Sequence, residues 1–383
     1  MNIEIEEYHQ NFDSELLRIF YKSTYHQRKE FEYFRYPPRW IRRYLDEESI
    51  VRIARVDGKI VASLGLILYD GFVNGKIKRI GFFVDNCIDP DFSHHYFEIF
   101  DKLFEKIENE AKKKNVAVVF GWEFVHRAKT HYKIYKKRHF KRIEGFYWYP
   151  TGSDLRIHLG SMGENKLNVV WRFLLRLKRV TINLKERKYM PQGFEIKRVR
   201  KKDLQQIATF LNEKNKNIQL ATVYSKEHLE KVFNEKLSHG LAVWHKNRIE
   251  GALLFFVGAW SGWMFGKPHY DKKHSHFFAY TPFEFTLRDE RKTGLGASML
   301  FELMKQEDVF IKKNGYTLTV DCFFEKQAWR EKSVFDVGGE KAAYDFGCLL
   351  IKNLSKQKIH YNRIISLPTL FVIAPVPKNH LSS

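Results

Sequence analysis

Apolar and polar residues alternate along this chain in a fixed order of strand and helix patterns, and the order occurs twice. In the first half, Ile53-Ala54-Arg55-Val56 and Ile60-Val61-Ala62-Ser63-Leu64 flank Asp57-Gly58-Lys59, the pattern of a β-hairpin. Ile80-Gly81-Phe82-Phe83-Val84 reads as a further strand, leading into Ile88-Asp89-Pro90-Asp91-Phe92-Ser93. Ile99, Phe100, Leu103, Phe104 and Ile107 then recur at helical spacing, up to a stop at Lys112-Lys113-Lys114-Asn115. Val116-Ala117-Val118-Val119-Phe120 follows as a buried strand.

The second half opens with the strand Phe194-Glu195-Ile196-Lys197-Arg198-Val199 and a helix starting near Asp203-Leu204-Gln205-Gln206-Ile207. Leu241-Ala242-Val243-Trp244-His245 and Ile249-Glu250-Gly251-Ala252-Leu253-Leu254 flank the turn residues Lys246-Asn247-Arg248. A strand over 277–287 precedes a helix with Leu295, Met299, Leu300, Leu303, Met304 and Phe310 on one broad face. Tyr316-Thr317-Leu318-Thr319-Val320-Asp321-Cys322 is the strand after it. Hairpin, loop, helix and strand align between the halves at an offset of about 190–200 residues, which predicts a whole-domain duplication. The division is 1–150, a connector 151–192, and 193–383.

Composition narrows the class. At 383 residues, with 44 % hydrophobic and 16 % aromatic residues, the chain is long enough for two cores and too apolar for disorder. Cys87, Cys322 and Cys348 lie far apart with no metal spacing, which fits a reducing compartment. The acidic, alternating start Met1-Asn2-Ile3-Glu4-Ile5-Glu6-Glu7 is wrong for a signal peptide, and no apolar run approaches the roughly 20 residues that span a bilayer. A cytoplasmic protein is expected. The net charge of +21 draws polyanions without choosing among nucleic acid, anionic lipid, a nucleotide-bearing cofactor and an acidic acceptor.

The chemistry concentrates in Arg291-Lys292-Thr293-Gly294-Leu295-Gly296-Ala297, between a strand and a helix. Glycines there let backbone approach a phosphate, with the helix's first amides and positive dipole end facing the anion. In this setting Arg-x-x-Gly-x-Gly resembles the acyl-CoA pyrophosphate loop of the GNAT (Gcn5-related N-acetyltransferase) superfamily. The resemblance implies an α/β (α+β) fold of two GNAT-like units, each a mixed, mostly antiparallel sheet flanked by helices. It implies an N-acyltransferase that moves an acyl group from acetyl-CoA or another acyl-CoA to a small-molecule or peptide amine acceptor. Gly294, Leu295, Gly296 and Ala297 would supply amides to the pyrophosphate, and Arg291 and Lys292 would add charge.

Such transfer needs a base for the ammonium, donors for the thioester carbonyl and an acid for the thiolate. The family places a carboxylate on the strand before the loop, and Glu284, between Phe283 and Phe285, holds that place. Strand alternation alone would instead send Glu284 to solvent and both phenylalanines inward. The segment Ala328 to Gly339 matches the family's acid-bearing helix loosely, with Phe335 where the tyrosine is expected. Tyr344 or water then remains as the acid. In the first half Tyr135 stands at the acid position, but the loop reads Ser93-His94-His95-Tyr96-Phe97-Glu98. Tyr96 and Glu98 replace the glycines, so the first unit is expected to be a degenerate copy and the second to carry one active site.

The connector segment 165–179 puts Leu167, Val170, Trp171, Leu174 and Leu177 on one helical face and Arg172, Arg176 and Arg179 on another. Such a helix docks between domains, or meets tRNA or an anionic membrane surface through its basic face. His269, Asp271, His274 and His276 have metal-ligand chemistry, but intervening lysines make a solvated loop the better reading, and no metal is expected. Two rivals share the doubled fold or the charge. One is a Fem-type aminoacyl-tRNA-dependent transferase; the other is a non-catalytic CoA- or RNA-binding protein. Acyl chain length, acceptor and oligomeric state leave no mark in the sequence.

Overall fold

A computed structural model describes residues 1–20, 22, 48–124, 132–151, 190–234, 238–260, 277–314, 316–324, 328–337, 345–355 and 365–366. The strands in chain order begin β1 (Ile3–Glu7), β2 (Glu48–Val56), β3 (Lys59–Val73), β4 (Lys76–Ile88), β5 (Val118–Phe124), β6 (Lys141–Thr151) and β7 (Phe194–Arg198). They continue as β8 (Leu220–Thr222), β9 (Ser238–His245), β10 (Arg248–Trp260), β11 (Phe277–Leu287), β12 (Tyr316–Phe324), β13 (Asp345–Asn353) and β14 (Ile365–Ser366). The α-helices are α1 (Asp13–Phe20), α2 (Tyr96–Lys113), α3 (Leu204–Asn215), α4 (Lys226–Asn234), α5 (Thr293–Asn314) and α6 (Ala328–Asp336).

Contacts divide the chain into a first unit, Met1–Gly145 with Asp345–Asn362, and a second, Phe146–Tyr344 with Arg363–Ser383. The sequence division at 150 and 192 keeps each half of the chain to itself, whereas here residues 345–362 belong to the first unit. In the first unit the strands run in the order β1-β2-β3-β4-β5-β13, and in the second β6-β12-β11-β10-β9-β7. Within the first, β4 and β5 are parallel and every other pair is antiparallel. Along the second run, β11 and β12 are parallel and every other neighbouring pair is antiparallel; β8 and β14 lie off this run and pair parallel. The two pairing patterns are the same, which is the duplication read from the sequence.

Local chemistry explains the hairpins. Asp57 and Gly58 turn β2 into β3 with φ of 49° and 79°, and Lys246 and Asn247 turn β9 into β10 with φ of 48° and 64°. Paired left-handed residues match the twist of the strands they join.

Each sheet is covered on both faces. In the first unit, Ile99, Phe100, Leu103, Phe104 and Ile107 of α2 pack with Ala54, Val56 and Leu64, while Leu16 and Ile19 of α1 pack with Ile53, Ile60 and Cys87 on the other face. In the second, Leu295, Met299, Leu300 and Leu303 of α5 pack with Leu253, Phe255, Phe285 and Leu287. Leu204, Ile207 and Leu211 of α3 cover Ala242, Ala252 and Leu254 opposite. Strand alternation sorts each strand's residues between the two layers.

A buried carboxylate of the first unit is held by two cations. Glu108 of α2 accepts from Lys352 Nζ of β13 at 2.5 Å and from Arg138 Nε at 3.2 Å, so the C-terminal strand is fastened to the N-terminal helix. Among the described residues, no helix is long and apolar enough to cross a membrane. The connector residues 152–189, Tyr344 and the histidine-bearing segment 269–276 lie outside the described residues.

Candidate acyl-transfer site in the second unit

The parallel pair is short. β11 and β12 are in register from Phe277↔Tyr316 to Tyr280↔Thr319. From Thr319 to Phe324, β12 pairs with β6 on its other side. Beyond Tyr280, β11 pairs with β10 alone among the described residues, so the two parallel strands part toward their C-terminal ends. A register shift between Leu254 and Phe255 opposite Glu284 and Pro282 bends β11 where the parting begins. Parted strands leave backbone donors and acceptors along one edge of β11, which an extended ligand with amide groups can pair with.

Glu284 stands at this edge. It is 3 % exposed, so the sequence alternative that sends it to solvent is corrected: helices cover both faces of the sheet, and alternation places Glu284 and Phe285 in different buried layers. Tyr224 Oη donates to Glu284 Oε2 at 3.1 Å and Thr286 Oγ1 donates to Oε1. Asn212 of α3 fixes Tyr224 by its backbone, its Nδ2 donating to Tyr224 O at 2.6 Å and its Oδ1 accepting from Tyr224 N at 2.8 Å. Arg330 of α6 brings Nη2 to 3.7 Å from Glu284 Oε1. That is close enough for charge and too long for a hydrogen bond.

The predicted phosphate loop is a helix start. α5 begins at Thr293, where the first amides have no partner within the helix and its dipole is positive. Leu295 N donates back to Lys292 O at 2.9 Å, tightening the turn. Gly294 is half-buried, while Leu295, Gly296 and Ala297 are buried in the face that α5 turns to the sheet and α6. Gly296 is there because of a neighbour: a Cβ on it would lie 2.4 Å from Ser333 Oγ and 3.3 Å from Phe285 Cζ. Ser333 Oγ in turn donates to Thr293 O at 3.1 Å or to Trp329 O at 2.8 Å. So the loop's second glycine admits α6 against α5, and Thr293 and Gly294 carry the first-turn amides that remain for an anion.

Both cations of the loop have partners. Arg291, with its side chain 91 % exposed, forms a fork on Asp289, Nε to Oδ1 at 2.9 Å and Nη2 to Oδ2 at 3.1 Å. That fork holds the Asp289 carboxyl below its usual range. Lys292 Nζ lies 5.3 Å above the Phe194 ring. Phe335, at the tyrosine's place, is 47 % exposed on α6.

The first unit repeats the parted pair without the helix start. β4 and β5 are in register only from Ile80↔Val118 to Phe82↔Phe120. The segment that follows is a 3₁₀ turn, Pro90–His95, running straight into α2 at Tyr96. Asp89 caps it, accepting from Asp91 N at 3.2 Å, and is itself paired with Lys22 at 2.8 Å and Arg18 at 3.5 Å. The chain's own carboxylate thus takes the place an anionic ligand would need. The Tyr96 ring lies tilted 4.4 Å from that of Phe100, and Tyr135 is buried against Phe104 and Phe140, each 5.4 Å away. Tyr135 belongs to the core, and Tyr96 is partly buried against it.

Sequence comparison matches the chain to no described family and to no curated protein. Comparison of structures does find likenesses. N-myristoyltransferase of Saccharomyces cerevisiae, solved with myristoyl-CoA and inhibitors, superposes with a TM-score of 0.61 at 11 % identity, over 96 % of this chain and 86 % of that one. A GCN5-related N-acetyltransferase from Anabaena variabilis gives 0.55 at 7 % identity, over 92 % and 73 %. A tandem GNAT protein from the clavulanic acid biosynthesis pathway gives 0.52 at 11 % identity, over 93 % and 100 %. The chain has a GNAT-superfamily fold, built as two GNAT-like units. At such identities the likeness is one of fold.

Sequence reading missed Tyr224 and Arg330. Nothing in Thr222-Val223-Tyr224-Ser225 marks a partner for a strand 60 residues later, and Arg330 sits in a charged helix that reads as solvated. The one available signal was Trp329-Arg330, an aromatic and a cation side by side in an otherwise polar stretch.

Proposed function

We propose that the protein is an acyl-CoA-dependent N-acyltransferase with one active site, in the second unit. The observation that carries this reading is the placing of Glu284. A buried carboxylate stands on the open edge of β11, and one turn of α6, from Arg330 to Ser333, links it to the start of α5. An extended donor would pair with the β11 edge while its phosphates meet the Thr293 and Gly294 amides. The amine acceptor, a small molecule or a peptide, gives its first proton to Glu284, directly or through water. Acetyl-CoA and longer acyl-CoA donors both fit this scheme, and it asks for no metal. Asp89 and the aromatic filling of the first unit favour a single site per chain.

Calorimetry with coenzyme A tests the number of sites, and one per chain is expected. Glu284→Gln keeps the shape and loses the proton acceptor, so turnover with acyl-CoA and an amine panel should fall by roughly 10²–10⁴ with donor affinity kept. Two equivalent coenzyme A sites, or a variant with full turnover, would overturn the reading.

A further inference from the structure

The second unit contains a guanidinium in an unusual place. Arg330 lies on α6, its Cζ 5.9 Å from the centre of the Phe285 ring and 5.4 Å from that of Trp329. Phe285 and Trp329 belong to the layer under α5. Glu284, to which Arg330 reaches, is bonded to Tyr224, which belongs to the opposite layer. A side chain seated on one face of a sheet meets a carboxylate on the other only where two strands have parted. Arg330 therefore lies in the opening between the diverging ends of β11 and β12.

Its bonding there is incomplete. The side chain is 11 % exposed, and Nε is buried with no acceptor among the described residues. Glu284, at 3.7 Å, balances the charge but leaves that donor unmet. Burying a guanidinium N–H without an acceptor costs free energy that a folded chain normally avoids. A cationic donor held open at the mouth of a strand gap suits a ligand atom that is, or becomes, negative.

We propose that Arg330 is a catalytic residue that holds the negative charge of the leaving sulfur when an acyl group moves from its thioester to an amine. This rests on the acyltransferase reading above and adds the charge-stabilising group to it. The amine, having given one proton to Glu284, attacks the thioester carbon; the C–N bond forms and the C–S bond breaks, with its electron pair going to sulfur. Arg330 keeps its own protons, as guanidinium groups do in proteins, and faces the thiolate. The second proton of the amine nitrogen passes to that sulfur. The products are an amide and a free thiol, and the proton on Glu284 returns to solvent. No tyrosine acid is needed, which accords with the exposed Phe335 on the same helix.

The test is a titration of the product thiol on the protein, independent of any acceptor. Coenzyme A is bound at saturation, confirmed by calorimetry, and thiolate formation is followed by ultraviolet absorbance against pH. On the native protein the thiol should ionise at least one unit below its value in free coenzyme A titrated in the same buffer. Arg330→Gln should raise it to that value or above, since Glu284 stays, with coenzyme A still bound. Glu284→Gln should shift it the other way, lowering it further, because an anion facing the guanidinium is gone. A purely structural pair gives no such opposite pair of shifts. Should Arg330→Gln fail to fold beside a buried Glu284, the Arg330→Gln/Glu284→Gln double variant replaces it, and its bound thiol should titrate as in free coenzyme A. Bound coenzyme A whose thiol titrates alike in all these proteins would overturn the role of Arg330 while leaving the acyltransferase reading in place. Absence of coenzyme A binding to the native protein would overturn both.

Discussion

Gly296→Ala separates two explanations of the glycine in the first turn of α5. Replacing a helical glycine by alanine normally stabilises a helix, by about 1 kcal/mol. Here the added methyl would stand 2.4 Å from Ser333 Oγ and 3.1 Å from Ser333 Cβ. The hydroxyl has no cheap retreat, because it is engaged with Thr293 O and Trp329 O. α6 must then move off α5, an overpacking cost of about 1–3 kcal/mol, and the Ser333 bond is lost with it, at about 1 kcal/mol. Set against the helix gain, the net loss is about 1–3 kcal/mol. For a unit of this size each kcal/mol is worth about 2–4 °C, so Tm should fall by roughly 2–12 °C in a calorimetric scan. Adding Ser333→Ala removes the closest contact and should recover at least half of the loss. Folded Gly296→Ala protein should keep most of its coenzyme A affinity. A variant as stable as the native protein, with coenzyme A binding gone, would refute the packing account and return Gly296 to the phosphate.

Three further outcomes follow from the side-chain networks. Asn212→Ala removes both bonds that hold the Tyr224 backbone and should cost about 2–3 kcal/mol; Tyr224→Phe should leave Tm closer to native while lowering acyl-transfer turnover, measured side by side. Lys352→Met leaves Glu108, 2 % exposed, with Arg138 alone and should destabilise the first unit by about 3 kcal/mol in urea unfolding. His239 has its pKa lowered to about 4 by burial and by Arg198, whose Nη2 donates to its Nδ1 at 2.6 Å. The unfolded histidine takes up its proton near 6.5 and the folded one only near 4, so stability should fall as pH drops through that window. His239→Gln should flatten the fall, and an unchanged pH dependence of Tm would exclude this cause.

What the sequence discloses depends on whether the determining forces are local. The hairpins at Asp57-Gly58 and Lys246-Asn247, the apolar stripe of α2 and the strand–loop–helix at Gly294 follow from neighbouring residues, and all are found. The same local rule leaves two fates for Glu284, because period 2 tells which residues share a face but not whether the other face is covered. α3 and the Tyr224 segment cover it. Gly296 shows the converse: its place in a glycine motif is legible, while the reason for it is Ser333, 37 residues on. The partners of β6 and β13 are less legible still. Periodicity marks a strand without naming the sheet it joins, and the repeat suggests that each half closes on itself.

The pairing of β13 with β5 also sets an order of events during synthesis. Until Asp345–Asn353 leaves the ribosome, β5 has an open edge, with the amides and carbonyls of Val118–Phe124 unpaired on that side. Roughly 220 residues intervene, which at about 5–20 residues per second is about 10–45 s of exposure. Such an edge is a template for pairing with another nascent chain. Translation speed through the second half, more than the stability of the finished protein, should therefore govern how much of the product escapes aggregation. A stop codon anywhere before residue 345 should yield insoluble protein even though almost all of the first unit has been made.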